Sequence, residues 1–373
     1  MERTESINQD WKEKVSNHIQ VGGIETSILD NGAGRGTRIA WINTGTGLRL
    51  KVVIDRAMDI AEAFYNQHSL AWISHVGITS PQPFSDKGID WLRTFGGGLL
   101  TTCGLSHAGG PESDQFGDRG LHGLIGNQPA EIVSIIQPDL RGGNLEMSIT
   151  GIIRETRPFG PSLELKRTIS ATLRKPGIRI HDEVINKANT AAPHMLLYHF
   201  NFGWPLVDEG SEILWNGKWF PRHGEENAKI FKEGNDFRKC PAPLESHSGS
   251  GEEVALIDVE ADIFGDSICG LYNEKIGLAV SLKFKKEQLP WLANWQHFGK
   301  GEYVTGIEPS THPLSGQAKA REDGTLIFLQ PEETRVYDLE LTVITDENLE
   351  TWEVFKTGSP RLTKFRELKN NNN

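Results

Sequence analysis

The sequence has few cysteines, no long apolar run and no excess of positive charge. Its three cysteines lie far apart among 373 residues and form no Cys-x-x-Cys pair, so they indicate reduced thiols. No apolar run approaches the roughly 18 residues that span a membrane. The opening segment MERTESINQDWKEK is polar and lacks the apolar stretch of a signal peptide. We therefore expect a soluble, cytoplasmic protein with no membrane partner.

The charge balance opposes a nucleic-acid partner. With 39 Lys and Arg against 50 Asp and Glu, the formal net charge is −11 at pH 7. Binding to a phosphate backbone depends on a basic surface, and no stripe of Lys and Arg occurs in this chain. We expect no nucleic-acid binding.

Recognised cofactor and metal motifs are also missing. Gly96–Gly98 lacks the Gly-Lys-Ser/Thr ending of a phosphate-binding loop, and these glycines are better explained by close backbone approach at a bend. The 12 histidines include neither His-x-His nor His-Glu-x-x-His. The sequence therefore predicts neither a coenzyme nor a metal ion.

Glycine, proline and short β-rich runs are abundant instead. The chain has 40 Gly and 18 Pro, and runs such as RIAWI, LELKRTIS and GLAVSLKF recur at intervals of about 8–12 residues without long helical segments. This pattern predicts an all-β, mainly antiparallel sandwich over residues 21–347, with an N-terminal arm at 1–20 and a C-terminal tail at 348–373. Hairpins are predicted around 66–69 and 274–276, and residues 77–120 and 216–252 are predicted to be long, irregular loops that are either functional or mobile.

The segment MLLYHFNFGWP is the most informative one. Period-2 alternation puts Leu196, Tyr198, Phe200 and Phe202 on one face of a strand and Leu197, His199 and Asn201 on the other. His199 fits a structural histidine or an imidazole aimed into a cavity for acid–base work; the segment alone leaves both open.

A second segment, GEYVTGIEPST, carries a carboxylate near the end of an apolar strand. Pro309 biases Glu308 towards an extended conformation, and Gly306 and Ser310 beside it leave room for a ligand. A surface glutamate that ends a strand is the alternative.

Weaker candidates lie upstream and downstream. Arg56 and Asp59, in DRAMD, could bind substrate hydroxyls or pair with other charges. His122, in RGLHGLIGN, could contact a substrate or have no special role. Trp295 could stack on a sugar ring, although core packing explains most tryptophans.

In these segments the chain resembles the galactose mutarotase-like (aldose 1-epimerase) superfamily, within an uncharacterised bacterial branch. The resemblance covers roughly residues 20–345 and rests on five stretches in order: DRAMDI, WLRTFGGGLLTTCGLSHAGGP, GLHGLIGNQPAEI, LLYHFNFGWPL and LPWLANWQHFGKGEYVTGIEPST. It implies a β-supersandwich with its active site in a concave groove. It also implies that His199 is the general acid, Glu308 the general base, and His122 a substrate contact.

The implied reaction is anomer exchange without a cofactor. A base removes the O1 proton while an acid protonates the ring oxygen, the open chain rotates, and the ring closes on its other face. We expect the acid and base on opposite sides of the sugar ring, and a nearby carboxylate that raises the pKa of His199. Arg56, Arg93 or Arg119 could recognise an acidic or phosphorylated sugar.

Two other functions stay open. A sugar isomerase or lyase could use the same groove to remove a carbon-bound proton. A non-catalytic carbohydrate-binding protein would have a groove dominated by aromatic residues, with no ring-sized gap between His199 and Glu308. In all three cases the partner is a small-molecule carbohydrate, and the sequence leaves a homodimer open.

Overall fold

The computed structural model describes residues 11, 13–84, 86–224 and 226–345. Of the predicted terminal segments, residues 1–10 and 12 of the arm and the whole tail 348–373 lie outside these ranges. Trp11 and Val15, within the arm, pack against the main core.

The described residues form 22 strands and one α-helix. The helix, α1, is Gly316–Glu322. The strands are β1 Gly23–Ile28, β2 Arg38–Asn43, β3 Leu48–Val53, β4 Asp59–Tyr65, β5 His68–Ser69, β6 Leu100–Leu105, β7 Glu112–Asp114, β8 Gly117–Arg119, β9 Glu131–Ile136, β10 Glu146–Thr156, β11 Ser162–Thr172, β12 Gly177–Asn186, β13 Ala192–Gly203, β14 Glu212–Leu214, β15 Gly217–Pro221, β16 Glu253–Val259, β17 Asp266–Asn273, β18 Leu278–Lys285, β19 Trp291–Gly299, β20 Glu302–Ser310, β21 Ile327–Leu329 and β22 Thr334–Thr345.

Two large antiparallel sheets pack into a sandwich. The 12-stranded sheet has the order β1-β2-β3-β4-β6-β13-β20-β19-β16-β15, with β5 on β4 and β21 on β13. The 8-stranded sheet has the order β14-β17-β18-β22-β12-β11-β10-β9, and β7 and β8 form a separate ribbon. The predicted all-β fold class is confirmed.

Alternation along the strands produces two apolar layers. Tyr198, Phe200 and Phe202 of β13 belong to the main core between the sheets, as the period-2 pattern predicts. Met195 and Leu197 belong to a second, smaller cluster on the other face of the 12-stranded sheet. We call this second face the concave face; the loops and α1 contribute the residues that pack over it.

The two predicted hairpins differ in outcome. β17 and β18 are joined by a short 3₁₀ turn, Glu274–Ile276, which Gly277 closes in the left-handed conformation with φ 59°. The hairpin at 66–69 is tighter than predicted, because Tyr65 already pairs with His68 and only Asn66 and Gln67 turn the chain. No helix among the described residues is long and apolar enough to cross a membrane.

Candidate active site

His199 and Glu308 are opposite each other on adjacent strands. β13 pairs with β20 so that Leu197 faces Ser310 and Phe200 faces Ile307, a register that places His199 directly across from Glu308. Residues opposed in this way have their side chains on the same face, a few ångströms apart. The His199 Nε2 and Glu308 Oε1 atoms are 3.4 Å apart on the concave face.

Both groups are buried and incompletely hydrogen-bonded. His199 is 6% exposed and Glu308 is 2% exposed. Among the described residues, neither His199 Nδ1 nor Glu308 Oε1 has a hydrogen-bond partner. Because buried polar atoms are nearly always paired, unpaired atoms on two facing groups indicate a place for a polar ligand.

Burial determines the protonation of the pair. Desolvation lowers the pKa of His199 to about 4, and the side chain of Asn201 partly opposes this shift. Desolvation also raises the pKa of Glu308 well above its ordinary value; nearby Glu252 raises it further and Arg222 lowers it. Burial therefore favours the uncharged form of both groups, a neutral imidazole and a protonated carboxyl group. This result is the opposite of the raised His199 pKa that we expected from the sequence.

Gly306 provides the space that the Glu308 carboxyl group occupies. The two residues are on the same face of β20, and a Cβ atom added at Gly306 would collide with Glu308 Oε1 and approach the Trp295 Cβ atom to 3.1 Å. The sequence predicted room for a ligand beside Gly306; the structure shows that the carboxyl group itself lies there.

Aromatic rings surround the His199 imidazole. Its ring centroid is 5.3 Å from that of Phe95, 5.5 Å from that of Trp295 and 6.2 Å from that of Trp91. Trp72 packs against both Phe95 and Trp295 with centroid distances of 5.9 Å. Flat apolar rings of this kind suit the apolar faces of a sugar.

His122 joins the pair from a loop. Its ring centroid is 6.0 Å from that of His199 and 4.9 Å from that of Trp91, and its Nδ1 atom is another buried polar atom without a partner among the described residues. Desolvation, with a smaller contribution from His199, lowers the pKa of His122 well below its ordinary value. Its backbone has φ 59°, a left-handed conformation that a non-glycine residue adopts at some cost and that is common at functional sites.

Asn201 is beside the pair but is already held by the backbone. Its Nδ2 atom donates to the carbonyl oxygens of Gly98 and His199, both at 3.0 Å, and its Oδ1 atom has no partner in the described part of the chain. Asn201 thus fixes the local backbone and leaves one acceptor free.

Arg56 and Asp59 have structural partners. Arg56 donates to the carbonyl oxygens of Gly126 and Thr94 and to the Thr79 hydroxyl group. Asp59 accepts from the backbone N–H and the hydroxyl group of Thr102, and its carboxylate is 3.3 Å from Arg167. The structure does not place either residue in contact with the His199 and Glu308 side chains, and their predicted role in substrate binding stays a prediction.

A cavity of about 420 Å³ lies beside the pair on the same sheet face. Its lining includes Arg56, Asp59, Thr101 and the ion pair of Lys51 and Glu62, but neither His199 nor Glu308. Thr101, on β6, is opposite His199 on β13 and therefore marks where the cavity meets the pair. The pair is the stronger candidate for a reactive centre, because its buried, unpaired groups can exchange protons.

Several residues near the pair were not among the sequence candidates. Phe95 comes from the segment 77–120, and Arg222 and Glu252 from the segment 216–252, so only the length of these predicted loops indicated them. The prediction of irregular loops was wrong in part, because β6, β7 and β8 lie within the first segment and β15 within the second. Glu252 accepts a hydrogen bond from Trp295 Nε1 at 2.8 Å and so orients that ring. Across the described ranges, no group of three or more His, Cys, Asp or Glu is arranged to hold a metal ion.

Comparison with known families adds one match over most of the chain. A family model described as "Domain of unknown function (DUF4432)" matches residues 34–343. No curated protein sequence matches the chain.

Several solved structures share the fold. A candidate aldose 1-epimerase from Klebsiella pneumoniae has a TM-score of 0.80 and 22% identity, over 94% of this chain and 91% of that chain. A galactose mutarotase-like protein from Clostridium acetobutylicum has a TM-score of 0.62 and 13% identity, over 86% of this chain and 98% of that chain. The galactose 1-epimerase from Lactobacillus acidophilus has a TM-score of 0.57 and 12% identity, also over 86% of this chain and 98% of that chain. At these identities the likeness confirms the predicted galactose mutarotase-type fold.

Proposed function

The chain belongs to the DUF4432 family, and from that premise we propose that it is an isomerase of the aldose 1-epimerase type, which interconverts the anomers of a sugar without a cofactor. One observation carries the proposal: His199 and Glu308, 3.4 Å apart, are buried and each presents an unpaired polar atom. The fold shared with a galactose 1-epimerase supports it.

Anomer exchange needs two proton transfers at neighbouring oxygens. One group removes the O1 proton while the other protonates the ring oxygen, so the bond between C1 and the ring oxygen breaks and a free aldehyde forms. Rotation about C1–C2 and the reverse transfers close the ring on its other face. Both oxygens are bonded to C1, so an acid and a base in close contact can reach them together. The sequence led us to expect the acid and the base on opposite sides of the sugar ring, but the reaction does not require that arrangement.

The pair can share one proton between the imidazole Nε2 atom and the carboxyl group. In the free protein burial favours the form with that proton on Glu308, because it lowers the pKa of His199 to about 4 and raises that of Glu308. Its transfer to Nε2 would give the imidazolium and carboxylate that the family resemblance implies. The two forms contain the same number of protons, and we propose that the reaction uses their interconversion.

His122 and Trp295 would position the sugar. The unpaired Nδ1 atom of His122 is available for a hydroxyl group, and the Trp295 ring, held by Glu252, offers a flat surface beside His199. Because the pair is buried and its groups are preorganised, small changes in sugar orientation would change the rate strongly.

A non-catalytic carbohydrate-binding protein is the second candidate. Four aromatic rings surround His199 or pack against its neighbours, and the 3.4 Å separation leaves no ring-sized gap between the two side chains. On this proposal the sugar lies over the pair and no proton is transferred.

NMR exchange spectroscopy on free aldoses, sugar acids and sugar phosphates separates the candidates. An epimerase increases exchange between the α and β signals of at least one sugar above the spontaneous rate, and Glu308→Gln removes that increase. Binding without any increase over the whole panel would contradict the enzymatic proposal. In D₂O, deuterium uptake at a sugar carbon would instead indicate the isomerase or lyase alternative.

A further inference from the structure

Arg222 lies at the end of a row of side chains that crosses the concave face. The backbone N–H of Arg222 donates to the Val254 carbonyl oxygen at 2.9 Å, just beyond the β15–β16 pair of Pro221 and Ala255. Val254 is opposite Trp295 on β19, and Trp295 is opposite Gly306 on β20. The row therefore leads from Arg222, past the Trp295 ring, to the position where the Glu308 carboxyl group lies.

The Arg222 guanidinium group makes neither a hydrogen bond nor an ion pair within the part of the chain that the structure describes, and the residue is partly buried. Its positive charge opposes the rise in the Glu308 pKa and adds to the fall in the His122 pKa. The Arg222 backbone N–H donates to Val254, which packs in the concave-face cluster with Trp295, so Arg222 lies at the edge of that face.

The other candidate arginines differ from Arg222 in their contacts or exposure. Arg119 pairs with Glu112 and Asp114, and Arg56 donates to backbone and hydroxyl oxygens. Arg93 pairs with Asp90 through Nε and is largely exposed to solvent. Of the four, Arg222 combines a partly buried position with a planar set of donors available for an incoming oxyanion.

The spacing fits one sugar unit. β15 and β20 are separated by two strands, so their backbones are about 14 Å apart at the usual strand spacing. The Arg222 and Glu308 side chains extend from the two ends of this distance, and Trp295 stands between them. A sugar stacked on Trp295 with its anomeric carbon at the pair would direct its far end towards Arg222.

We propose that Arg222 binds an anionic group, a carboxylate or a phosphate, at the end of the sugar remote from the anomeric carbon. This inference deepens the proposed function, on which it rests, by naming acidic or phosphorylated sugars as the substrate class. Glu252 also contributes its charge to the site, and its carboxylate accepts the Trp295 indole N–H.

Equilibrium binding by calorimetry tests the proposal without requiring turnover. The probes are D-glucuronate and D-glucose 6-phosphate, with D-glucose as the neutral parent. Arg222→Gln is compared with Arg222→Lys and with the matched control Arg141→Gln, which removes the same charge from an exposed loop position. We expect at least one anionic probe to bind more tightly than glucose. Arg222→Gln should weaken that binding by about tenfold or more, Arg222→Lys by less, and Arg141→Gln by less than about twofold.

The pattern of losses distinguishes the possible results. If Arg222→Gln weakens the binding of glucuronate alone, the substrate carries a carboxylate. If it weakens the binding of glucose 6-phosphate alone, the substrate is phosphorylated. Equal weakening of glucose and the anionic probes, or no preference for either anion in the unaltered protein, overturns the proposal. Neutral sugars could still exchange their anomers in Arg222→Gln while the unaltered protein shows no preference for anions. That result would refute this inference, and the proposed function would stand. Arg222-dependent anion binding without any exchange would refute the function and leave the anion site.

Discussion

Glu308 stands directly across from His199 in the β13–β20 pair, with Oε1 3.4 Å from Nε2. Two central strands therefore hold the pair, and the concave face presents it to the loops above. Side chains on rigid strands keep their geometry better than side chains on loops, and proton transfer requires such geometry. The first prediction tests whether the two groups act together.

His199→Gln and Glu308→Gln should each reduce anomer exchange by about 10²–10⁴-fold, since each removes one of two coupled proton transfers. The double variant should be no slower than the slower single variant, because the remaining group cannot act alone. Saturation-transfer NMR on the best substrate measures the rates. His181→Gln, at a half-exposed position on the other sheet, is the matched control. Additive losses in the double variant would show that the two residues do not act as a unit.

The pH profile should report the proton held by the pair. Activity requires one proton, so it is lost on acidification when His199 takes up a second proton, near its pKa of about 4. It is lost on alkalinisation when the pair gives up its only proton, well above the ordinary range for a glutamate. The dependence of kcat/KM on pH should therefore be a broad bell whose acid limb is below the usual histidine range. An acid limb near pH 6.5 would contradict the assigned protonation.

Period-2 alternation in the sequence was enough to place His199 and Asn201 on the face opposite Tyr198 and Phe200, and the structure confirms this. The pairing of His199 with Glu308 could not be predicted from alternation, because it depends on the register between strands that are distant in the chain. The effect of the Arg222 charge on the site was not predicted either, since the loop that carries Arg222 has no periodic pattern. Local patterns specify which face a residue occupies, whereas sheet order specifies its neighbours.

Gly306→Ala should displace the Glu308 carboxyl group. The added Cβ atom would occupy the position of Oε1, so the carboxyl group must rotate away from Nε2 or the strand must shift. We expect a loss of about 10²-fold or more in kcat, since misplacement by about 1 Å has this effect in other enzymes. Steady-state kinetics and a urea melt measure activity and stability together.

Gly110→Ala is the control for that substitution. A Cβ atom there meets nothing within 4 Å, and its φ lies outside the left-handed region. Gly110→Ala should leave kcat unchanged. If Gly306→Ala retained full activity, the contact between the carboxyl group and the imidazole would not be needed for the reaction.

Asp59→Asn should separate a structural role from a substrate role. The Asp59 carboxylate accepts from Thr102 and lies 3.3 Å from Arg167, which is itself fully buried and paired with Asp182 at 2.7 Å. The substitution keeps the shape of the side chain, but the neutral amide cannot accept both hydrogen bonds in the way that a charged carboxylate does. We expect a loss of about 1–3 kcal/mol in the free energy of unfolding near pH 4, a smaller loss at pH 7, and a KM within about twofold of the unaltered value.

Asp59 also has a pH signature in stability. Burial raises its pKa to about 6, although Arg167 and Thr102 oppose the shift. Since the folded protein then binds a proton that the unfolded chain releases at lower pH, the Asp59 contribution to stability is present below about pH 4 and is lost as the pH rises to about 6. In urea melts between pH 4 and 7, Asp59→Asn should remove this downward slope. A large increase in KM with unchanged stability would instead show that Asp59 binds the substrate, as the sequence suggested, and that the cavity it lines belongs to the active site.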